Sequence, residues 1–223
     1  TARDYGVTND EFNTDVYGPR ALDWYLSGFR DRAVLSYEEM AWYGPWAQML
    51  IAAAQKLGLA APFTVRHAVN FMIGLAGIAA LVPLARLTAG RWAGLLAVCL
   101  CLITGYLYGQ LFFTPIDVPF LAAMVWAALA VVVTIQRPMP RWRATIATGV
   151  LAGLALGTRT GGVIVLVYAF VGFGLCALAL ALEHRLTGRA LLRLLVRFAA
   201  IVVVAGVVAY ALWPWLQAGD PFT

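Results

Sequence analysis

Charge is scarce in this chain. Of its 223 residues only 12% are charged and 62% are hydrophobic, whereas a soluble domain carries about a quarter charged residues. That balance excludes an ordinary soluble domain and points to an integral membrane protein. Carboxylates are few, and most sit in one block: Asp4, Asp10, Glu11, Asp15, Asp23, Asp31, Glu38 and Glu39. Only Asp117, Glu183 and Asp220 lie elsewhere. No apolar run contains a carboxylate, which argues against a proton- or ion-coupled carrier. The three cysteines, Cys99, Cys101 and Cys176, lie in apolar runs without zinc spacing or a disulfide framework, and read as small packing residues. There is no repeat with a period of 20–50 residues and no alternating barrel-strand pattern. The net charge is +5, but the basic residues flank apolar runs instead of forming a patch, so no nucleic-acid partner is expected. The chain starts at Thr1, and no membrane helix precedes its polar opening block. It is expected to be an internal piece of a longer protein, without that protein's first transmembrane helix.

What is present is a series of apolar runs of the length a membrane helix needs, roughly 17–25 residues. They are Val65–Leu84, Trp92–Phe113, Val118–Ile135, Thr145–Thr158, Val163–Leu182 and Phe198–Trp215. The fourth is short and Gly-rich and could extend back through Trp142. The fold class expected is all-α, a polytopic membrane bundle of about six spans over residues 65–223. Arginines follow the first span (Arg86, Arg91), the third (Arg137, Arg141, Arg143) and the fifth (Arg185, Arg189, Arg193, Arg197). The positive-inside rule places those three loops in the cytoplasm. Residues 1–64, Asp117, Arg159 and Asp220 then lie outside. Within 1–64, Leu22, Tyr25, Leu26 and Phe29 make one helical apolar stripe, and Trp46, Met49, Leu50, Ala53 and Leu57 make another. Residues 1–64 are therefore expected to be an extracytoplasmic loop with amphipathic helices on the membrane surface.

Four places in the chain could carry chemistry. Asp10 and Glu11 are adjacent carboxylates that read as a general base or metal ligand, or else as a solvated loop or a helix cap at Asn9 or Asp10. Asp117, between Pro115 and Pro119 at a membrane boundary, reads as a functional carboxylate, as the cap of the helix that follows, or as both. His67 and Asn70 stand one turn apart at the outer end of the first span, and Gly74 and Gly77 continue that face. They read as a polar patch or as helix-packing residues. Arg159, in Gly157-Thr-Arg-Thr-Gly-Gly162, is a cation on the side where the positive-inside rule disfavours it. A phosphate would explain both the arginine and the backbone N–H groups of its turn, and an ion pair with a loop carboxylate would explain the arginine alone.

The same stretches carry a resemblance. NDEFNTDVYG…LDWYLSGFRDR, RHAVNFMIGLAG, TPIDVPFLAAMVWA and GLALGTRTGG, in that order, resemble the N-terminal half of bacterial GT-C glycosyltransferases of the protein O-mannosyltransferase and aminoarabinose transferase-like group. The resemblance runs from about Tyr5 to Pro214. It implies an inverting enzyme of the bacterial inner membrane with a polyprenyl-phosphate sugar donor and a first-loop acidic base. A divalent metal is sometimes involved. By match, Asp10, Glu11 and Asp117 take the acidic positions, with Asp10 and Asp117 as metal ligands where a metal is used. Arg159 takes the donor-phosphate position. Two departures stand out. The lysine before the second acidic residue is Ile116 here, and a Gly-Gly-Leu-Phe-Asp-like stretch is replaced by Tyr43–Met49, which has no acidic residue at Trp46–Gln48.

Two functions follow as expectations. The first is a membrane glycosyltransferase in which Asp10 or Glu11 is the base, Asp117 supports it, and Arg159, His67 and Asn70 bind the substrate. The second is a non-catalytic subunit of the same fold that packs among other membrane subunits.

Overall fold

A computed structural model of the protein describes residues 6–218, without the side chain of Glu38. Asp4 and Asp220 of the sequence reading lie outside the described residues. The described chain is helical, with no strand. Its architecture is an all-α bundle with the N-terminal segment packed across one end.

That segment holds α1 (Asn9–Leu26) and α2 (Trp46–Gln55), joined by 3₁₀ turns at Ala33–Ser36 and Glu38–Met40. Helix α1 starts in a capping box. Thr8 is the N-cap, and its N–H donates to Glu11 Oε2 at 2.8 Å. The cap is thus one residue before Asn9 and two before Asp10, the positions expected from the sequence. Pro62 opens α3 (Pro62–Ala89), where its missing N–H is no loss. Next come α4 (Ala93–Ile103), α5 (Gly105–Phe113), α6 (Asp117–Ile135), α7 (Trp142–Leu156), α8 (Ile164–Leu182), α9 (Gly188–Ala211) and the short α10 (Pro214–Gln217).

Among the described residues, four helical stretches are long and apolar enough to cross a membrane: Pro62–Ala89, Asp117–Ile135, Thr160–Leu182 and Gly188–Ala211. This is the architecture of a multi-pass membrane protein. The second expected span is broken at Thr104, where α4 and α5 meet at 74°. Thr104 has left the helix (ψ 90) and its hydroxyl donates back to the Leu100 carbonyl at 2.7 Å. Counted as one span, the bent pair makes five. The fourth expected span is only 15 residues and does start at Trp142. The sixth starts ten residues earlier than expected. Thr187 caps α9 by accepting from the Ala190 N–H at 3.2 Å. Arg189, Arg193 and Arg197 therefore lie on a helix, where arginine is a good former. Arg197 donates to the Pro140 carbonyl at 2.7 Å and stacks over Trp142 at 4.0 Å.

The bundle packs through small residues, as apolar helices in lipid do. Ala127, Ala152, Ala155, Ala169 and Ala205 are buried around Val165 and Ile201. A Cβ on Gly77 would lie 2.7 Å from Ala122 Cα, so the Gly74–Gly77 face of α3 is the smooth seam for α6 that its sequence suggests. Cys176 is buried in the core, and Cys99 faces outward.

The two apolar stripes of the N-terminal segment are divided: Tyr25 and Met49 pack against the cluster around Tyr17 and Trp24, while Leu26, Phe29, Leu50 and Leu57 are exposed. In α1 the buried face is Tyr17, Ala21 and Trp24, while Leu26 is 69% exposed. Phe29 lies past the helix end with φ 66. In α2, Ala47, Gln48, Ile51 and Ala52 are buried while Leu50 is exposed, as is Leu57 just past the helix end.

One end of the bundle gathers the N-terminal segment, the α5–α6 turn, the α7–α8 turn and α10. Thr8 Oγ1 donates to the Phe113 carbonyl (3.4 Å), Trp213 Nε1 to the Ala41 carbonyl (2.9 Å), and Trp24 Nε1 to Gln217 (2.9 Å).

Candidate functional site

Under this end lies a buried polar layer between α1 and α3. Glu11 and His67 are 0% and 1% exposed, and His67 Nε2 sits 2.8 Å from Glu11 Oε1. Arg66, 0% exposed, donates to Thr14 Oγ1 at 2.9 Å and to Asp15 Oδ1 at 2.8 Å. Asn70 donates to the carbonyls of Leu111 (2.9 Å) and Thr114 (3.3 Å), and Gln48 to that of Pro115 (2.6 Å). Buried charges are tolerated only when paired and hydrogen-bonded. These bonds clamp the Thr114–Ile116 turn and so aim the start of α6.

Above the layer is an open polar cleft of about 220 Å³. One wall comes from the N-terminal segment, with Asp10, Asn13, Glu39 and Tyr43. The other holds Asp117 and Arg159. Asp117 sits in the first turn of α6, where the helix dipole favours a negative charge. Its carboxylate accepts from Arg159 Nη1. The Arg159 guanidinium also lies 5.5 Å from the centre of the Tyr43 ring, a cation–π distance.

Backbone contacts hold the arginine there. Tyr43 and Arg159 pair as an isolated antiparallel bridge, and the Gly44 N–H donates to the Thr158 carbonyl at 3.2 Å. Trp46 Nε1 donates to Thr158 Oγ1 at 2.6 Å. The chains are so close that a Cβ on Gly44 would lie 1.6 Å from the Gly157 oxygen. Tyr17 supports this wall from behind, its hydroxyl donating to the Tyr43 carbonyl at 2.8 Å. Burial, and secondarily the nearby Tyr25 phenol, push the Tyr17 phenol far above its ordinary value.

The six site residues expected from the sequence therefore divide into two sets. Asp10, Asp117 and Arg159 line one cleft, although they come from distant parts of the chain. Glu11, His67 and Asn70 lie beneath it, buried and bonded to protein. The backbone of the Arg159 turn is also more engaged than expected. The N–H groups of Arg159 and Gly162 donate to the Ala155 and Arg159 carbonyls. An anion is left with the guanidinium as the feature most suited to receive it.

No protein-family model, curated protein or solved structure matches this chain.

The fit of a divalent metal can be judged from the donors. Such an ion takes six or more oxygens. Among the described residues no three His, Cys, Asp or Glu side chains are grouped to hold one, and Asp117 is already engaged by Arg159. Asp10 and Asp117 as placed do not make that set.

Sequence reasoning missed Arg66 and Tyr43. Arg66 carries the signal that singled out Arg159, a cation at the end of the protein opposite the arginine-rich loops. Nothing in the sequence around Tyr43 foretells its bridge to Arg159.

Proposed function

We propose that this protein is a membrane glycosyltransferase that moves a sugar from a polyprenyl-phosphate donor to an acceptor hydroxyl at the cleft. The observation that carries the proposal is the convergence of Asp10, Asp117 and Arg159 in one polar cleft at one end of an apolar bundle. Asp10 is exposed there and serves as the base. It takes the proton as the acceptor oxygen bonds to the anomeric carbon. The bond from that carbon to the phosphate oxygen breaks, and the electron pair leaves with the lipid phosphate. Arg159 neutralises that phosphate, exchanging its partner Asp117 for it. One displacement inverts the anomeric centre. The chemistry uses no metal step.

The proposed location is a bacterial inner membrane with the cleft outside, because the arginine-rich loops lie at the opposite end. The bilayer supplies the donor. Cysteines placed at Ser36 and Arg141 should label from opposite sides of spheroplasts, Ser36 from outside. The reverse pattern would invert the topology.

The functional test is transfer by membranes that contain the full chain, over a panel of polyprenyl-phosphate sugars. Asp10→Asn should lower turnover roughly 10²–10⁴-fold, the usual worth of a general base. Wild-type turnover from Asp10→Asn would exclude Asp10 as the base.

One observation favours the second reading, a non-catalytic subunit within a larger membrane complex. Ile116, where relatives of the resembled family carry lysine, packs against the apolar cluster around Tyr17 and Trp24. Wild-type protein inactive with every donor would support that reading.

A further inference from the structure

The end of the bundle away from the cleft is stepped. Helices α7 and α9 run side by side in register. A Cβ on Gly149 would lie 2.7 Å from Val204 Cβ, and one on Gly153 would lie 2.6 Å from Val208 Cβ. The same register, carried back to the start of α7, sets Trp142 against Arg197, whose guanidinium lies 4.0 Å from the ring centre. There α7 begins, while α9 continues past it. Helix α8 reaches this level at Cys176, whose Sγ is 3.7 Å from the Ile135 and Arg137 carbonyls, and it also continues. Residues 177–182 of α8 and 188–196 of α9 thus project past the α6–α7 loop, by about 9 Å and about 13 Å at about 1.5 Å per residue. A step is left beneath the start of α7. Trp142 and Arg197 form its roof. Its wall is the face of α9 that carries Arg193 and Arg189, roughly one and two turns before Arg197. Arg141 stands at its edge, next to Trp142 in the chain.

We propose that this step binds the head group of an anionic phospholipid, with the phosphate against Arg141 and Arg193 and the acyl chains along Ile146 and Val150, which are exposed on α7. Charge and depth together select that occupant. Arg141, Arg143, Arg189 and Arg193 are exposed. Among the described residues the only carboxylate past Asp117 is Glu183, and it pairs with Arg185 at 2.9 Å. No carboxylate there neutralises the step. Residues 163–182 carry no charge and measure about 30 Å, the thickness of the hydrocarbon core. Leu178, Leu182, Leu192 and Leu195 are 53%, 74%, 61% and 57% exposed, so the α8–α9 hairpin is apolar toward lipid almost to its tip. The step is about 9 Å short of that tip, inside the level of the surrounding head groups. Arginines at such depth draw phosphates and water inward, and basic pockets between membrane helices hold anionic head groups. A soluble acidic protein does not reach that depth. Arg197 also donates to the Pro140 carbonyl at 2.7 Å, so the roof is fixed before a lipid arrives. The site lies away from the cleft and does not depend on the glycosyltransferase reading. In the orientation proposed above, its lipid comes from the cytoplasmic leaflet.

The test uses the full chain in phosphatidylcholine nanodiscs, doped with a phosphatidylglycerol that carries a photoreactive group on its head-group glycerol. Crosslinks are expected on residues 139–146 and 189–197. Each arginine beside an anionic surface is worth roughly fivefold in affinity, so Arg141→Gln with Arg193→Gln should cut labelling by about tenfold or more. Both side chains are exposed, and Arg193→Gln alone is the second variant if the pair does not fold. Arg91→Gln, at the same end but in the α3–α4 turn, should leave labelling unchanged. Unlabelled phosphatidylglycerol should compete, whereas inorganic phosphate and a soluble polyglutamate should not. Labelling spread evenly to the α3–α4 turn would reduce the effect to the general charge of this end and overturn the site. So would full labelling of the folded double variant. Competition by inorganic phosphate would make it an ion site, and displacement by polyglutamate would give the surface to an acidic protein. Either result would overturn the lipid.

Discussion

Arg159 and Asp117, 42 residues apart in sequence, form an ion pair at the mouth of the polar cleft. Their side chains are 41% and 59% exposed, so water screens the attraction. The pair is better suited to exchanging partners than to holding the fold together.

The first prediction follows from that exposure. Asp117→Asn should cost about 1 kcal/mol or less, as exposed ion pairs do. Arg159→Ala should be as mild for stability, yet it should raise KM for the donor far more than it lowers kcat, because a phosphate contact made before the transition state acts on binding. Donor titrations on membranes and melting in detergent separate the two effects. Equal losses in kcat and kcat/KM would move Arg159 from donor binding to the transition state.

The buried layer predicts the reverse pattern. Glu11→Ala removes the acceptor of the Thr8 N–H and the partner of buried His67. Breaking a buried pair by removing one partner costs about 3–5 kcal/mol. Arg66→Ala should destabilise comparably, since Thr14 and Asp15 both lose their donor. Asp10→Asn, one residue from Glu11 but exposed, should stay within about 1 kcal/mol even with the loss of a helix-dipole contact. Thermal unfolding of purified variants reads this contrast, and equal melting of Glu11→Ala and Asp10→Asn would contradict the burial.

Gly44→Ala tests how the N-terminal segment is fastened. A methyl group 1.6 Å from the Gly157 oxygen cannot be accommodated without separating the two backbones. The Tyr43–Arg159 bridge and the Trp46–Thr158 bond should then be lost together. Limited proteolysis should show faster cleavage near residues 38–45, with the transmembrane helices intact. A wild-type digestion pattern would mean that the bridge is not what holds this segment.

Tyr17 gives a pH dependence. The phenol is raised in the folded state above the ordinary value of 10.0, chiefly by burial, and half-buried Tyr25 is raised for the same reason. Ionisation therefore favours the unfolded chain once the pH passes that ordinary value. The stabilising contribution is complete below about pH 10 and declines as the pH rises further. Tyr17→Phe should flatten part of the decline while losing the bond to the Tyr43 carbonyl. A folded protein whose tyrosines all ionise near pH 10 by absorbance would contradict it.

The sequence by itself determined the all-α class, nearly all the boundaries of the third and fifth apolar helices, and the grouping of Asp10, Asp117 and Arg159 at one end. Apolar run length is a property of the chain alone, and the two apolar helices between Asp117 and Arg159 return the chain to the same end. The tertiary structure decided which faces are buried. In water an apolar stripe marks the core, but a helix in lipid is apolar on its lipid face as well, so periodicity could not tell Leu26 and Leu50 from Ala21 and Ala47. The tertiary structure also decided that Glu11, a near-equivalent of Asp10 in sequence, points inward to His67. Adjacent residues on a helix differ by about 100° in direction, and only the position of α3 determines which of the two carboxylates is buried.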